Sequence, residues 1–233
     1  MNLLCLDTTS STPSIAVLRD EEVLRECNFA CGSDLAATLV PSLDFLLRSL
    51  GLSVAAIDLF GVAIGPGLFT GIRVGLATLK GLDFNAGRPV AAVSTLEALA
   101  LKAADAAPLA VPMIDARRGE VYIAGYSLDQ GELRQRLAPR LLRVEDAVPH
   151  LEPLGDMAFV GSGAENHAEQ IQRLFPRGRL LRRSGFLASE VGRMALRLWR
   201  AGLCLNDLQE IRPAYIRQPD AETQSTRPRR SGD

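Results

Sequence analysis

The sequence predicts an α/β protein made of two lobes of similar plan. Two observations carry this. A strand hairpin followed by alternating helix and strand patterns opens the chain, and the same theme returns after about residue 106. A strand ending in aspartate and running into a turn occurs once in each half, at Asp7 and Asp115. The 233 residues, 47% hydrophobic and 23% charged, suffice for one large domain or two small lobes.

In chain order, residues 2–7 read as a short buried strand followed by the hydroxyl run Thr8–Thr12. Residues 14–19 and 23–28, separated by Asp20-Glu21-Glu22, make a hairpin. Ser33 or Asp34 is placed to cap a helix whose Leu35, Leu39, Leu43, Leu46 and Leu50 recur at helical spacing, with Gly51 as its stop. Pro41 should start or kink that helix. A strand over 57–64 leads into Gly65-Pro66-Gly67 and a helix over 72–85. Residues 89–93 return to strand, and Ser94-Thr95-Leu96-Glu97 has the pattern of a capping box opening a helix to about 106. Residues 109–114 and 120–126 form a second hairpin around 115–119. Then come a short helix near Glu145, a strand over 157–160, a helix running from Gly161-Ser162-Gly163-Ala164 to Leu174, and a long helix over 187–202. The expected division is 1–105, 106–217 with its last segment packing back on the first lobe, and a polar tail, 218–233, expected to be disordered.

Composition excludes several function classes. A net charge of -1 argues against gripping nucleic acid by electrostatics alone. The cysteines, Cys5, Cys27, Cys31 and Cys204, contain no C-x-x-C, so no zinc ribbon or thioredoxin-type motif is expected, and reduced thiols in the cytosol are. The N-terminus lacks the features of a signal peptide, and no apolar run nears the ~18 residues of a membrane span. Neither lysine, Lys80 or Lys102, sits in a G-x-x-x-x-G-K-[ST] loop. The glycines at 65, 67 and 71 follow G-x-G-x-x-x-G, which is not the dinucleotide fingerprint.

Three features could carry chemistry. Asp7 with Thr8 and Thr9, and Asp115 in the second half, have the form by which actin-like and sugar-kinase-like proteins order a metal-nucleotide; such turns also occur as plain strand ends. Gly65 and Gly67 flank a proline before a helix N-terminus, a geometry open to an anion or simply a close corner. Gly71, Gly75 and Gly81 within one helix call for close approach by another backbone. With the leucine-rich helix at 35–50 this helix makes a plausible helix-on-helix interface, or packs on the sheet.

The run Phe60-Gly61-Val62-Ala63-Ile64-Gly65-Pro66-Gly67-Leu68-Phe69-Thr70-Gly71-Ile72-Arg73-Val74-Gly75 resembles the signature of the TsaB (YeaZ) family. Leu4–Thr9, Val93–Ala100, Ile114–Tyr122 and Pro213-Ala214-Tyr215-Ile216-Arg217 match it in the same order, so the resemblance spans about 1–217. It implies the two-lobed fold of the actin-like ATPase superfamily (ASKHA, ribonuclease H-like). It also implies a place in the bacterial machinery that forms N6-threonylcarbamoyladenosine next to the anticodon of tRNA. In that machinery the paralogue TsaD is catalytic, TsaB is its non-catalytic heterodimer partner, and the ATPase TsaE joins them.

The resemblance further implies a partner contact through the helices at 34–50 and 70–85, with Leu39, Leu43, Leu46, Ile72, Gly75, Leu76 and Leu79 as candidates. Asp7, Thr8, Thr9, Gly65, Gly67 and Asp115 become remnants of a nucleotide loop. No tightly bound cofactor and no metal are expected, ATP and Mg²⁺ being handled by the partners; tRNA is met only through the complex, and the chain alone is either a homodimer or a monomer. The catalytic paralogues carry an H-x-x-x-H pair, whereas no histidine precedes His150 here and the only other is His167. Relatives often have a basic residue and His-Ser where this chain has Cys31-Gly32-Ser33. The alternatives are an independent ATP-dependent phosphotransferase using Asp7 and Asp115, and a metallopeptidase, against which the missing H-x-x-x-H and H-E-x-x-H stand.

Overall fold

The structure is a computed structural model and describes residues 1–29, 34–83, 87–129 and 132–217. The Cys31-Gly32-Ser33 departure and the expected disordered tail lie outside the described residues. Strands β1 (Asn2–Asp7), β2 (Ser14–Arg19), β3 (Glu22–Asn28), β4 (Leu59–Ala63) and β5 (Val90–Val93) form one sheet in the order β3-β2-β1-β4-β5. Strands β6 (Leu109–Asp115), β7 (Glu120–Asp129), β8 (Glu132–Arg143), β9 (Met157–Val160) and β10 (Arg179–Leu181) form the other, in the order β10-β9-β6-β7-β8. Each is an antiparallel three-strand meander extended by two parallel strands on the far side of its first strand. The two lobes therefore repeat one topology, as the sequence predicts.

Helices α1 (Leu35–Ser49), α2 (Phe69–Leu82), α3 (Thr95–Leu101), α4 (Val148–Leu151), α5 (Ser162–Asn166), α6 (Ala168–Leu174) and α7 (Ala188–Arg200) arrange around these sheets in layers. Along β1 alternate side chains point to opposite faces. Leu4 and Leu6 face α1 and α2 in one core, while Leu3 and Cys5 face α7 in a central core that α3 shares. The central core also takes Ala110, Ala124, Tyr126 and Ala158 from the second sheet, so α3 and α7 are packed between the two sheets. A third core joins the outer face of the second sheet to Leu151, Ala164 and Ile171.

The helices exchange sides. α3 follows the first sheet in sequence but packs on β6 and β7; α7 follows the second sheet but packs on β1, β2, β4 and β5. Small residues permit the close fit of α7: a Cβ on Gly61 would meet Ala195 Cβ and Cys5 Sγ at 3.0 Å. The first sheet also caps this helix. Ser14 Oγ accepts the Leu187 and Ala188 amides at 3.1 and 3.0 Å, and Glu26 accepts the Ser189 amide at 3.1 Å. After α7 the chain stays with the first sheet: Leu205 bridges to Val90, and Leu208 and Ile211 enter the α1–α2 core. A division at 105/106 thus separates the sheets, but α7 and the segment behind it pack with the first.

Several sequence boundaries shift. Asp34 caps α1 by accepting the Ala37 amide, and Gly51 (φ 66°) ends it with Leu52 N bonded to Leu47 O and Gly51 N to Arg48 O. Pro41 lies inside α1 rather than at its start. α2 begins at Phe69, not 72, and α3 stops at Leu101, not 106. Only half the expected capping box forms: Glu97 accepts the Ser94 backbone amide, but the Ser94 hydroxyl caps nothing. The expected helix to Leu174 is two, meeting at His167. Strand β10 had no counterpart in the sequence reading.

Candidate functional site

Between the sheets lies a cleft of about 480 Å³, walled by the Thr9–Thr12 turn, Gly67–Phe69 and Thr95 on one side and by Asp115, Arg117 and Asn166 on the other. The structure brings Thr9, Gly67 and Asp115 to this cleft.

Asp7 lies beneath it, fully buried at the end of β1. Its Oδ1 accepts the Thr9 amide at 2.9 Å and the Thr9 hydroxyl at 2.6 Å, while Oδ2 has no partner among the described residues. Burial pushes this carboxyl up to about 6 from its ordinary 3.8, against the opposing effect of the two Thr9 bonds.

Helix α2 is seated directly on the Thr8–Thr9 turn. Thr8 Oγ1 donates to Gly71 O at 2.8 Å, and the Leu68 amide donates to Thr9 O at 2.7 Å. A Cβ on Gly67 would lie 2.2 Å from Thr9 O, on Gly71 1.9 Å from Thr8 O, and on Gly75 2.4 Å from Thr8 Oγ1. Gly71 and Gly75, four apart, open one face of α2, and the turn fills it, while Gly67 lets the loop before the helix close on Thr9 O. The expected close approach holds for Gly71 and Gly75. It does not hold for Gly81, whose Cβ would meet nothing within 4 Å. Gly65 (φ 109°) starts the corner, joined to Pro66 by a cis bond, and would press a Cβ within 2.9 Å of Ile72 Cδ1.

Asp115 is half-buried at the corresponding end of β6. Its Oδ1 accepts the Arg117 amide at 2.8 Å, its Oδ2 accepts Asn166 Nδ2 at 2.9 Å, and its amide donates to Ser162 Oγ at 3.1 Å. The following turn carries three successive positive φ values, at Arg117, Arg118 and Gly119. The C-terminal segment spans from the first sheet to this turn. The Ala214 amide donates to Ile64 O at 2.8 Å, and the Tyr215 ring lies 5.1 Å from that of Phe69. Arg217 then donates to Ala116 O at 2.9 Å and pairs with Glu120.

Among the described residues no group of three His, Cys, Asp or Glu could hold a metal ion. The two histidines lie apart: His150 contacts Arg140, and His167 contacts Gln170.

The candidate partner residues are not surface groups. Leu39, Leu43, Leu46, Ile72, Leu76 and Leu79 are all at most 7% exposed and form the core against the first sheet, while Gly75 seats Thr8. The exposed apolar groups of α1 are Val40 and Phe45, which are 50% and 68% exposed, whereas Leu68, 42% exposed just before α2, lines the cleft. Sequence reasoning missed them because it followed the leucine stripe; Val40 and Phe45 lie out of phase with it, and that was the available signal.

Two repeated mixed sheets enclosing a cleft, with a strand-end aspartate from each, define an α/β protein of the actin-like class. A ROK hexokinase from Thermus thermophilus superposes with a TM-score of 0.52 at 14% identity, covering 87% of this chain and all of that one, which shows the fold alone. The family profile described as TsaD, tRNA N6-adenosine threonylcarbamoyltransferase, matches residues 31–222. A Bacillus subtilis (strain 168) protein described as tRNA threonylcarbamoyladenosine biosynthesis protein TsaB is 31% identical over 173 residues, 74% of this chain and 76% of its own. A crystal structure described as an uncharacterized protein with similarity to peptidase YEAZ from Pseudomonas aeruginosa superposes with a TM-score of 0.80 at 32% identity. It covers 93% of this chain and 99% of that one. The chain belongs to the TsaB (YeaZ) family.

Proposed function

We propose that this chain serves the formation of threonylcarbamoyladenosine in tRNA as the non-catalytic partner of a TsaD-type transferase. The observation that carries the reading is the seating of α2 on the Thr8–Thr9 turn. Thr8 Oγ1, Thr9 O, and the Thr9 amide and hydroxyl are all engaged within the protein, by α2 and by Asp7. A nucleotide-binding turn of this class keeps such groups open to phosphate and metal. The absence of an H-x-x-x-H pair from the sequence supports the same reading.

In this reading the chain binds no nucleotide tightly. Catalysis belongs to the transferase, and ATP with Mg²⁺ to it and to a TsaE-type ATPase. The heterodimer forms through the outward faces of α1 and α2, with Val40 and Phe45 as its apolar anchors, and a homodimer uses the same surface when the partner is absent. The work is cytoplasmic; no described helix is long and apolar enough to cross a membrane.

The test is depletion of the chain in its own cell, with threonylcarbamoyladenosine in bulk tRNA measured by mass spectrometry, beside co-purification of Phe45→Arg with the transferase. The nucleoside should fall and the variant should fail to pair. Unchanged nucleoside levels would sink the pathway reading, and undiminished pairing the proposed surface.

A further inference from the structure

Between Glu169 and Glu190 the sequence contains no carboxylate side chain and five arginines: Arg173, Arg177, Arg179, Arg182 and Arg183. In a chain of net charge -1 this is a strong local imbalance. The fold displays it on one edge. Arg173 lies in the last turn of α6, Arg177 in the following loop, Arg179 on edge strand β10, and Arg182 and Arg183 just beyond it, all exposed.

Arg179 reaches Ala106 O at 2.7 Å, and Arg183 lies 3.8 Å from Asp105. Arg173, Arg177 and Arg182 have no hydrogen bond or ion pair among the described residues. Two surface hollows flank the turn that joins α3 to β6. Arg177 and Arg179 line one; Arg183 lines the other, where Lys102 and Arg193 share the buried Glu190.

A docking site for another protein would carry an apolar anchor at its centre. Here the segment itself supplies none: among the described residues every large exposed hydrophobic lies outside 170–187, Trp199 and Leu154 being the nearest in sequence. Cations without apolar anchors suit a polyanion whose charge repeats along its length, which is a nucleic-acid backbone.

We propose that this arginine edge contacts the phosphate backbone of RNA when the chain is in its complex, which rests on the tRNA-modification reading above. The edge belongs to the second sheet, whereas α1 and α2 cover the outer face of the first, so pairing through those helices leaves it open. A modest number of phosphate contacts from this chain adds to the grip of the partner, without requiring the free chain to hold RNA well.

The test uses the complex of the full chain with its transferase and a fluorescent tRNA transcript, titrated across a salt series. The variant Arg173→Gln/Arg177→Gln/Arg182→Gln should co-purify as the wild type does and melt at the same temperature. Its affinity should fall by about 100-fold or more at 0.1 M salt, and the slope of log K against log salt by about 2 to 3, near one per lost contact. The variant Arg134→Gln/Arg136→Gln/Arg143→Gln, on β8 at the opposite edge, makes the same change in net charge and should leave both unchanged. Wild-type affinity and slope in the first variant, or equal losses in both, overturn the proposal. So does unchanged RNA affinity with loss of a protein partner, which would assign the edge to an acidic protein surface. Failure of the wild-type chain to pair with the transferase, seen at co-purification and before any RNA is added, overturns the proposed function and this inference with it.

Discussion

Alanine at Gly71 tests the seating of α2 on the Thr8–Thr9 turn. In an exposed helix position, glycine to alanine stabilises by about 1 kcal/mol. At Gly71 the new methyl would sit 1.9 Å from Thr8 O, a backbone atom that cannot turn away. Relieving the clash moves α2 off the turn, which loses the Thr8–Gly71 hydrogen bond, about 1 kcal/mol. It also strains a packed core, by about 1 to 3 kcal/mol. The net is about 2 kcal/mol destabilising, which for a chain of this size lowers Tm by roughly 4–8 °C. Gly75→Ala should cost less, since its closest neighbour at 2.4 Å is the Thr8 hydroxyl, a side-chain atom. Gly81→Ala meets nothing and should raise Tm by roughly 1–4 °C. Differential scanning fluorimetry of the three variants is the assay. A Gly71→Ala protein as stable as Gly81→Ala would refute the seating, and with it the main support for the non-catalytic reading.

Other outcomes follow from burial. Leu43→Arg should leave little folded protein, because Leu43 is 2% exposed, whereas Phe45→Arg, two residues on, should change stability by less than about 0.5 kcal/mol; circular dichroism melts separate the two. Asp7 holds its proton to about 6 in the folded chain against 3.8 unfolded, so between those values only the unfolded state releases it. Stability therefore falls as pH rises from about 4 to 6, by up to about 3 kcal/mol. Urea melts of Asp7→Asn relative to wild type should show that difference growing over this window and flat above it; a constant difference would count against the buried charge. Cys5 is fully buried and its thiol is pushed well above the ordinary range, so iodoacetamide at pH 8 should leave it unmodified in the folded protein while labelling half-buried Cys27. Peptide mapping reads this directly.

Much of the fold is legible locally. The continuous apolar run of β1, the leucine stripe of α1 and its Gly51 stop each carry their own signal, and the recurrence of the hairpin theme anticipated the repeated sheets. The resemblance assigns the stripe on α1 to a partner surface, while its periodicity says only which side chains share a face, not what covers that face. Only the packing of Leu39, Leu43 and Leu46 against Leu4 and Leu6 decides it. Strand β10 escaped because three residues beside arginines carry no usable period. The early end of α3 has no glycine or proline to mark it. Of the site, the turns at Asp7 and Asp115 were found from residue type and position. The return of Arg217 to the Glu120 turn was not, since it joins residues 97 apart and rests on no short-range pattern.

The exchange of α3 and α7 between sheets sets a timetable for the nascent chain. The last strand of the first sheet is complete at Val93, but the helix that covers its inner face begins at Ala188. At about 5–20 residues per second, translation leaves that face without its own helix for roughly 5–20 s. The first half of the chain therefore leaves the ribosome as a sheet with one uncovered side, and a fragment ending at residue 105 should stay soluble only while a chaperone holds it. Completion of the C-terminal segment, rather than of either sheet, is the event that commits the whole molecule to its native state.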